Sequence, residues 1–151
     1  QLLKYLSKTY GKKVVICLHP KDSLFKKKKI FKNFEVVKYS SQKNIFKSFL
    51  VVFFDTSAII DALILKKRTI VITSGAMDKN QVAQANDYHN EAGIFKIDLD
   101  KMNLKNLKNN LKNLNKFREK YSFYTKTYIN PDGKNLGYEK IIKTIKRNFF
   151  N

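Results

Sequence analysis

A single cysteine, Cys17, excludes any disulfide framework and fits a reducing compartment. It stands in the apolar run KVVICL, residues 13–18, which marks it as a small core residue rather than a reactive thiol. Proline and glycine are scarce, two and five residues among 151, and no linker or low-complexity segment interrupts the chain. Acidic residues are few as well, 12 against 31 Lys and Arg. No apolar run approaches the roughly 20 residues that a membrane-spanning helix needs. The two histidines, His19 and His89, fall at no metal-ligand spacing with Cys17 or with carboxylates, so no metal site is expected. GxGxxG, P-loop and GxSxG motifs are missing, and no carboxylate pair has a spacing that argues for glycoside hydrolysis. His89 falls in a polar stretch that reads as a surface helix.

What remains is 43% hydrophobic, enough for one domain with a real core over residues 1–151. The net charge of +19 favours anionic partners: nucleic acid, an anionic membrane surface or a phosphorylated ligand. Abundant Lys, Asn, Ile and Phe are also what AT-rich coding produces. Lys far outnumbers Arg, the residue that forks onto bases and phosphates, which lowers the case for nucleic acid.

The chain is organised around residues 50–74, LVVFFDTSAIIDALILKKRTIVITS. Residues 50–54 form a short, unbroken apolar run, the pattern of a strand buried on both faces. Asp55, Thr56 and Ser57 follow, all good helix N-caps. Residues 58–65 then place Ile59, Ile60, Leu63 and Ile64 at helical spacing. Lys66, Lys67 and Arg68 suit a helix C-terminus, and residues 69–72 form a second β-branched strand. Such a βαβ unit implies a parallel sheet with helices on its faces.

Taken in order, residues 1–10 read as a short amphipathic helix closed by Gly11. Residues 13–18 form a buried strand ended by His19-Pro20. Residues 21–32 are a basic connection containing four consecutive lysines, Lys26 to Lys29; such runs are usually a solvated face, with phosphate or membrane contact the sharper option. Residues 34–39 form a strand, and Ser40-Ser41 caps a helix with Ile45, Phe46 and Phe49 inward. After the βαβ unit come a Gly-containing loop at 74–79, a polar helix at 80–91 closed by Gly93, and a fifth strand at 94–99. A one-sided surface helix spans 103–121. Residues 122–137 carry aromatics and the turn signal Asn130-Pro131-Asp132-Gly133, and a last amphipathic helix follows at 138–150. Strands alternating with helices predict an α/β fold: a three-layer α/β/α sandwich around a Rossmann-like parallel sheet of about five strands.

That order sends several polar groups to strand carboxyl ends. His19 follows the first strand, Asp55, Thr56 and Ser57 the third, Thr73, Ser74 and Gly75 the fourth, and Asp98 and Asp100 the fifth. In an open α/β sheet this rim is where anionic ligands bind. His19 can donate a hydrogen bond to a phosphate oxygen or simply cap its strand. Thr56 and Ser57 can offer hydroxyls and amides to a diphosphate, or act as ordinary helix caps. Asp61, one turn beyond Ser57 on the same helical face, can accept from ribose hydroxyls.

Three segments, His19-Pro20, DTSAIIDALILKKRTIVI and PDGKNLGYEKIIKTI, resemble the C-terminal, nucleotide-binding half of GT-B-type glycosyltransferases of bacterial surface polysaccharide synthesis. The nearest flavours are the CDP-glycerol glycerophosphotransferase-like enzymes and the HP-motif capsule or sialyl/polysialyltransferases. The resemblance implies that His19, Pro20, Thr56 and Ser57 contact the donor's phosphates, with His19 the catalytic group. It matches Asp61 to the family's acidic residue and Asp132-Gly133 to the Asp-Gly before the last helix. Thr56 stands where a second Ser is usual. The donor would be a CDP-, CMP- or UDP-linked sugar or polyol, with no further cofactor. The protein would work in the cytoplasm or peripherally at the inner membrane face. Gln1 rather than Met opens the chain, which suggests a preceding acceptor domain that carries the catalytic base. Two other functions fit the same residues: a non-catalytic basic module for nucleic acid or anionic membrane, and half of a sugar-nucleotide 2-epimerase.

Overall fold

A computed structural model describes residues 1–54, 56–112 and 114–129, together with Glu139, Lys143 and Arg147. The chain divides into two units, Gln1–Phe49 and Leu50–Asn151. Each carries its own parallel sheet, so the fold is mixed α/β, with sheets of two and three strands.

The first unit runs α1 (Leu2–Tyr10), β1 (Val15–Leu18), α2 (Leu24–Ile30), β2 (Glu35–Lys38) and α3 (Ser41–Lys47). Leu2 and Leu6 lie one turn apart on α1 and are both buried. Gly11 ends that helix at φ 60°, a left-handed position that glycine reaches without a Cβ clash. β1 and β2 pair in parallel, Ile16 opposite Val36 and Leu18 opposite Lys38. Three expectations fail in this unit. The basic connection at 21–32 contains a helix, α2, started by Ser23, whose hydroxyl accepts from the Lys26 amide at 3.4 Å. Cys17 is exposed rather than a core residue, because strand alternation sends it to the face opposite buried Leu18. Its sulfur is still partly enclosed. That desolvation raises the thiol pKa, a hydrogen bond with Asn44 lowers it, and Glu35 raises it. Phe49 lies past the end of α3 and is half-exposed, with its ring 5.0 Å from that of Tyr10.

The second unit runs β3 (Leu50–Phe53), α4 (Ile59–Ile64), β4 (Arg68–Thr73), α5 (Lys79–Ala92), β5 (Phe95–Asp98), α6 (Leu104–Leu111), α7 (Leu114–Tyr124) and a π-helical turn (Thr125–Ile129). Its sheet has the order β3-β4-β5, all parallel, with Val52 opposite Ile70 and Ile72 opposite Ile97. β4 is therefore the middle strand, and β3, read as buried on both faces, is an edge of this sheet with only Phe53 fully buried. Thr69, Ile70 and Val71 of β4 have no exposed surface. The core gathers Phe53, Ile59, Leu63, Val71, Ala85, Ala92, Ile94 and Tyr121. At about 1.5–3 kcal/mol for each large apolar side chain removed from water, this cluster dominates the unit's stability.

α4 is shorter than its sequence pattern suggests. It starts at Ile59, with Ala58 as N-cap, and ends where Lys66 turns left-handed at φ 49°. α5 is longer than expected because Asp78 caps it. The Asp78 carboxylate accepts from the Gln81 amide at 2.9 Å, and the Gln81 side chain accepts from the Asp78 amide at 3.1 Å. Asp78→Ala removes one half of this reciprocal pair, and is expected to cost about 1 kcal/mol in urea unfolding. His89 is half-buried rather than a surface residue. Its Nδ1 pairs with the Ile94 carbonyl at 2.7 Å, which ties the end of α5 to the approach of β5. The helix expected over 103–121 is two helices, α6 and α7, and α7 runs on through 122–124 into the π-helical turn. The expected turn at 130–133 and helix at 138–150 lie outside the described residues, apart from Glu139, Lys143 and Arg147.

Candidate functional site

Parallel pairing sends the ends of β3, β4 and β5 to one rim of the second unit's sheet. Thr56 and Ser57 leave β3 there, Ser74 and Gly75 leave β4, and Asp98 closes β5 with Asp100 just beyond it. Thr56 and Ser57 are both exposed. The Thr56 hydroxyl accepts from the Ala58 amide at 3.2 Å, and its carbonyl accepts from Ile59 at 3.3 Å. The Ser57 carbonyl accepts from the Ile60 amide at 3.1 Å. Thr56 thus shapes the turn into α4 without being its cap, which corrects the N-cap role expected of this pair. Asp61 lies half-buried in the first turn of α4. Asp55, Asp132 and Gly133 lie outside the described residues.

The β4 and β5 exits are stitched together. The Leu99 amide donates to the Thr73 carbonyl at 2.8 Å, carrying the ladder one step past the strands. The Gly75 amide donates to the Asp100 carboxylate. Asp100 is held in turn, its own amide donating to Asp98 Oδ1 at 3.0 Å, and Lys101 reaches Asp98 at 3.9 Å. The Ser74 carbonyl accepts from Met77 at 3.1 Å and closes the loop. A Cβ on Gly75 would come within 3.3 Å of the Asp100 carboxylate, so glycine here permits close approach of backbone to an anion. An internal carboxylate therefore already occupies the anion-accepting amide of the β4 loop. At the β3 exit the Thr56 hydroxyl is taken up by the Ala58 amide, and Ser57 adds a second exposed hydroxyl beside it.

In the first unit, His19 and Pro20 leave the carboxyl end of β1. His19 is exposed. Its amide donates to the Asp22 carboxylate at 3.2 Å, and its carbonyl accepts from the Asp22 amide at 2.9 Å. Its Nδ1 accepts from the Lys21 amide at 3.2 Å. With Nδ1 an acceptor, the ring proton sits on Nε2, the nitrogen left as a donor. Asp22, half-buried and 3.6 Å from Lys27, is the group that fixes this turn. Sequence reading passed over it, although an Asp three residues after a strand-ending His is an ordinary turn signal. Among the described residues no group of three or more His, Cys, Asp and Glu is placed to hold a metal ion.

No protein-family model matches this chain. No curated protein matches it either. Among the described residues, hydrogen-bond donors are offered by the His19 imidazole at the end of β1 and by the hydroxyl turn at the end of β3, in a chain of net charge +19. Among the described residues no helix is long and apolar enough to cross a membrane.

Proposed function

We propose that this chain is the donor-binding part of a glycosyltransferase or polyol-phosphate transferase of bacterial surface polysaccharide synthesis. The donor's nucleotide diphosphate would lie at the Thr56–Ser57 turn. The observation that carries this reading is the exposed hydroxyl pair where β3 hands over to α4 within a parallel β-α-β unit. α4 has only six residues, so its dipole contributes little, and recognition falls to hydroxyls and turn amides. Asp61 and the rim carboxylates Asp98 and Asp100 suit the hydroxylated ribose or sugar rather than the phosphates. His19, exposed and with Nδ1 already accepting from Lys21, would donate through Nε2–H to the leaving phosphate as charge develops on it. Ser74 and Gly75 would frame the site, and Asp132-Gly133 would complete it.

This reading requires the two- and three-stranded sheets to be parts of one five-stranded Rossmann-like layer, so that His19 and Ser57 serve a single ligand. Titration of the labelled protein with CDP, CMP and UDP, followed by amide and imidazole NMR shifts, tests that requirement. One nucleotide is expected to move the His19 ring and the Ser57 amide with the same Kd. Movement of only one of the two, or different Kd values, rejects the shared pocket.

A further inference from the structure

We propose that α2 is a docking element for an anionic membrane surface. No residue of this helix is buried. Phe25 is 83% exposed and Ile30 68%, a large apolar area for a helix of seven residues. Around them stand Lys26, Lys28 and Lys29, while Lys27 is drawn to Asp22. At 100° per residue, Lys28, Phe25, Lys29, Lys26 and Ile30 follow one another across an arc of about 200°. Leu24 and Lys27 lie on the other side, and α2 packs against β2. The outward arc therefore carries three ammonium groups interspersed with the hydrocarbon of Phe25 and Ile30. Exposed hydrocarbon next to like charges gains nothing from water, but a headgroup layer accepts both: lysines to the phosphates and Phe25 and Ile30 to the acyl boundary.

A second exposed aromatic belongs to the same end of this unit. Tyr39 follows β2, is 77% exposed and is held at φ 61°, with the Lys38 ammonium 5.2 Å from its ring centre. β1 and β2 are parallel, so Tyr39 leaves the sheet at the edge where β1 hands over to α2 and Phe25. Tyrosine beside lysine is the pairing found at membrane–water interfaces. Nucleic acid would use the same ammonium groups. It offers no place for the aliphatic Ile30, and arginine, its better partner, is absent from α2. This inference is independent of donor binding.

The test is co-sedimentation of the full chain with vesicles of phosphatidylcholine alone, and of phosphatidylcholine mixed with phosphatidylglycerol. Binding is expected only to the anionic vesicles. Replacing Lys26, Lys28 and Lys29 by Gln should weaken it roughly a hundredfold. Phe25→Ala with Ile30→Ala, which leaves the charge untouched, should weaken it at least about tenfold. All five side chains are on the surface, so the variants keep the fold, and circular dichroism verifies it. Equal binding by the Phe25/Ile30 variant overturns the proposal, since charge alone would then explain the affinity. So does a failure to bind anionic vesicles, or tighter binding to single-stranded RNA than to vesicles at the same salt.

Discussion

Tyr121→Ala is expected to destabilise the unit that begins at Leu50 by about 3–5 kcal/mol. Tyr121 has no exposed surface, and α7 carries it against α4, α5 and β4 at once. Its ring belongs to the core cluster of Ile59, Leu63, Val71 and Ile94. Truncation leaves a cavity that three separate elements would have to close together, which is why the cost lies near the top of the large-to-small range. Set against a typical total of about 5–15 kcal/mol, the loss removes roughly a fifth or more of the stability. The hydroxyl contributes separately. It is hydrogen-bonded to Thr69, a fully buried polar residue on the middle strand. Tyr121→Phe orphans the Thr69 hydroxyl and should cost about 1–3 kcal/mol. Thr69→Val added to Tyr121→Phe removes both hydroxyls and should recover most of that loss, because Thr69 then buries no unpaired hydroxyl. Urea unfolding of the parent, Tyr121→Phe, Thr69→Val and the double variant closes the cycle. If Tyr121→Phe is as stable as the parent, the two hydroxyls are not a buried pair and the packing of α7 on β4 described above is wrong.

The same pair shows what a sequence can and cannot reveal. The β-branched run at 69–72 announced a strand, and it is one, but nothing in it said that Thr69 would face a tyrosine 52 residues later. Hydrophobic period gives element type; partners come from tertiary packing. Where the period is clear, at Ile59, Leu63 and Ile64 or at Leu2 and Leu6, the apolar side chains are buried as expected. α2 stayed hidden because four consecutive lysines erase any apolar stripe, and its start depends on one hydroxyl, that of Ser23. Cys17 was misjudged for a different reason. A short apolar run does not reveal which alternate positions face outward, and a strand buried on both faces looks the same as one buried on a single face. At the candidate site, the β-to-α handovers placed Thr56, Ser57, Ser74, Gly75, Asp98 and Asp100 at the carboxyl ends of parallel strands of one sheet. The engagement of the Gly75 amide by Asp100 was not legible, since it depends on how two loops approach one another rather than on any local pattern.

Nucleotide binding is expected to raise the melting temperature, and to do so through two side chains with little structural role. A ligand present at a hundred times its Kd stabilises the folded state by about 2.7 kcal/mol. For a chain of this length that corresponds to roughly 5–10 °C. CDP, CMP and UDP are the compounds to compare by thermal shift, at rising concentration. Ser57→Ala removes one hydroxyl donor from a charged phosphate, an interaction of about 1.5–3 kcal/mol, so binding should weaken tenfold to a hundredfold. His19→Ala should do the same by deleting the Nε2–H donor. Ser57 and His19 are exposed, so neither change is expected to alter the melting temperature of the free protein by much, and the loss would appear only in the ligand-dependent increment. Replacement of Phe25 and Ile30, on α2, should leave the increment intact, which separates donor binding from membrane docking. A melting temperature indifferent to every pyrimidine nucleotide, or an increment that survives both Ser57→Ala and His19→Ala, removes the transferase reading.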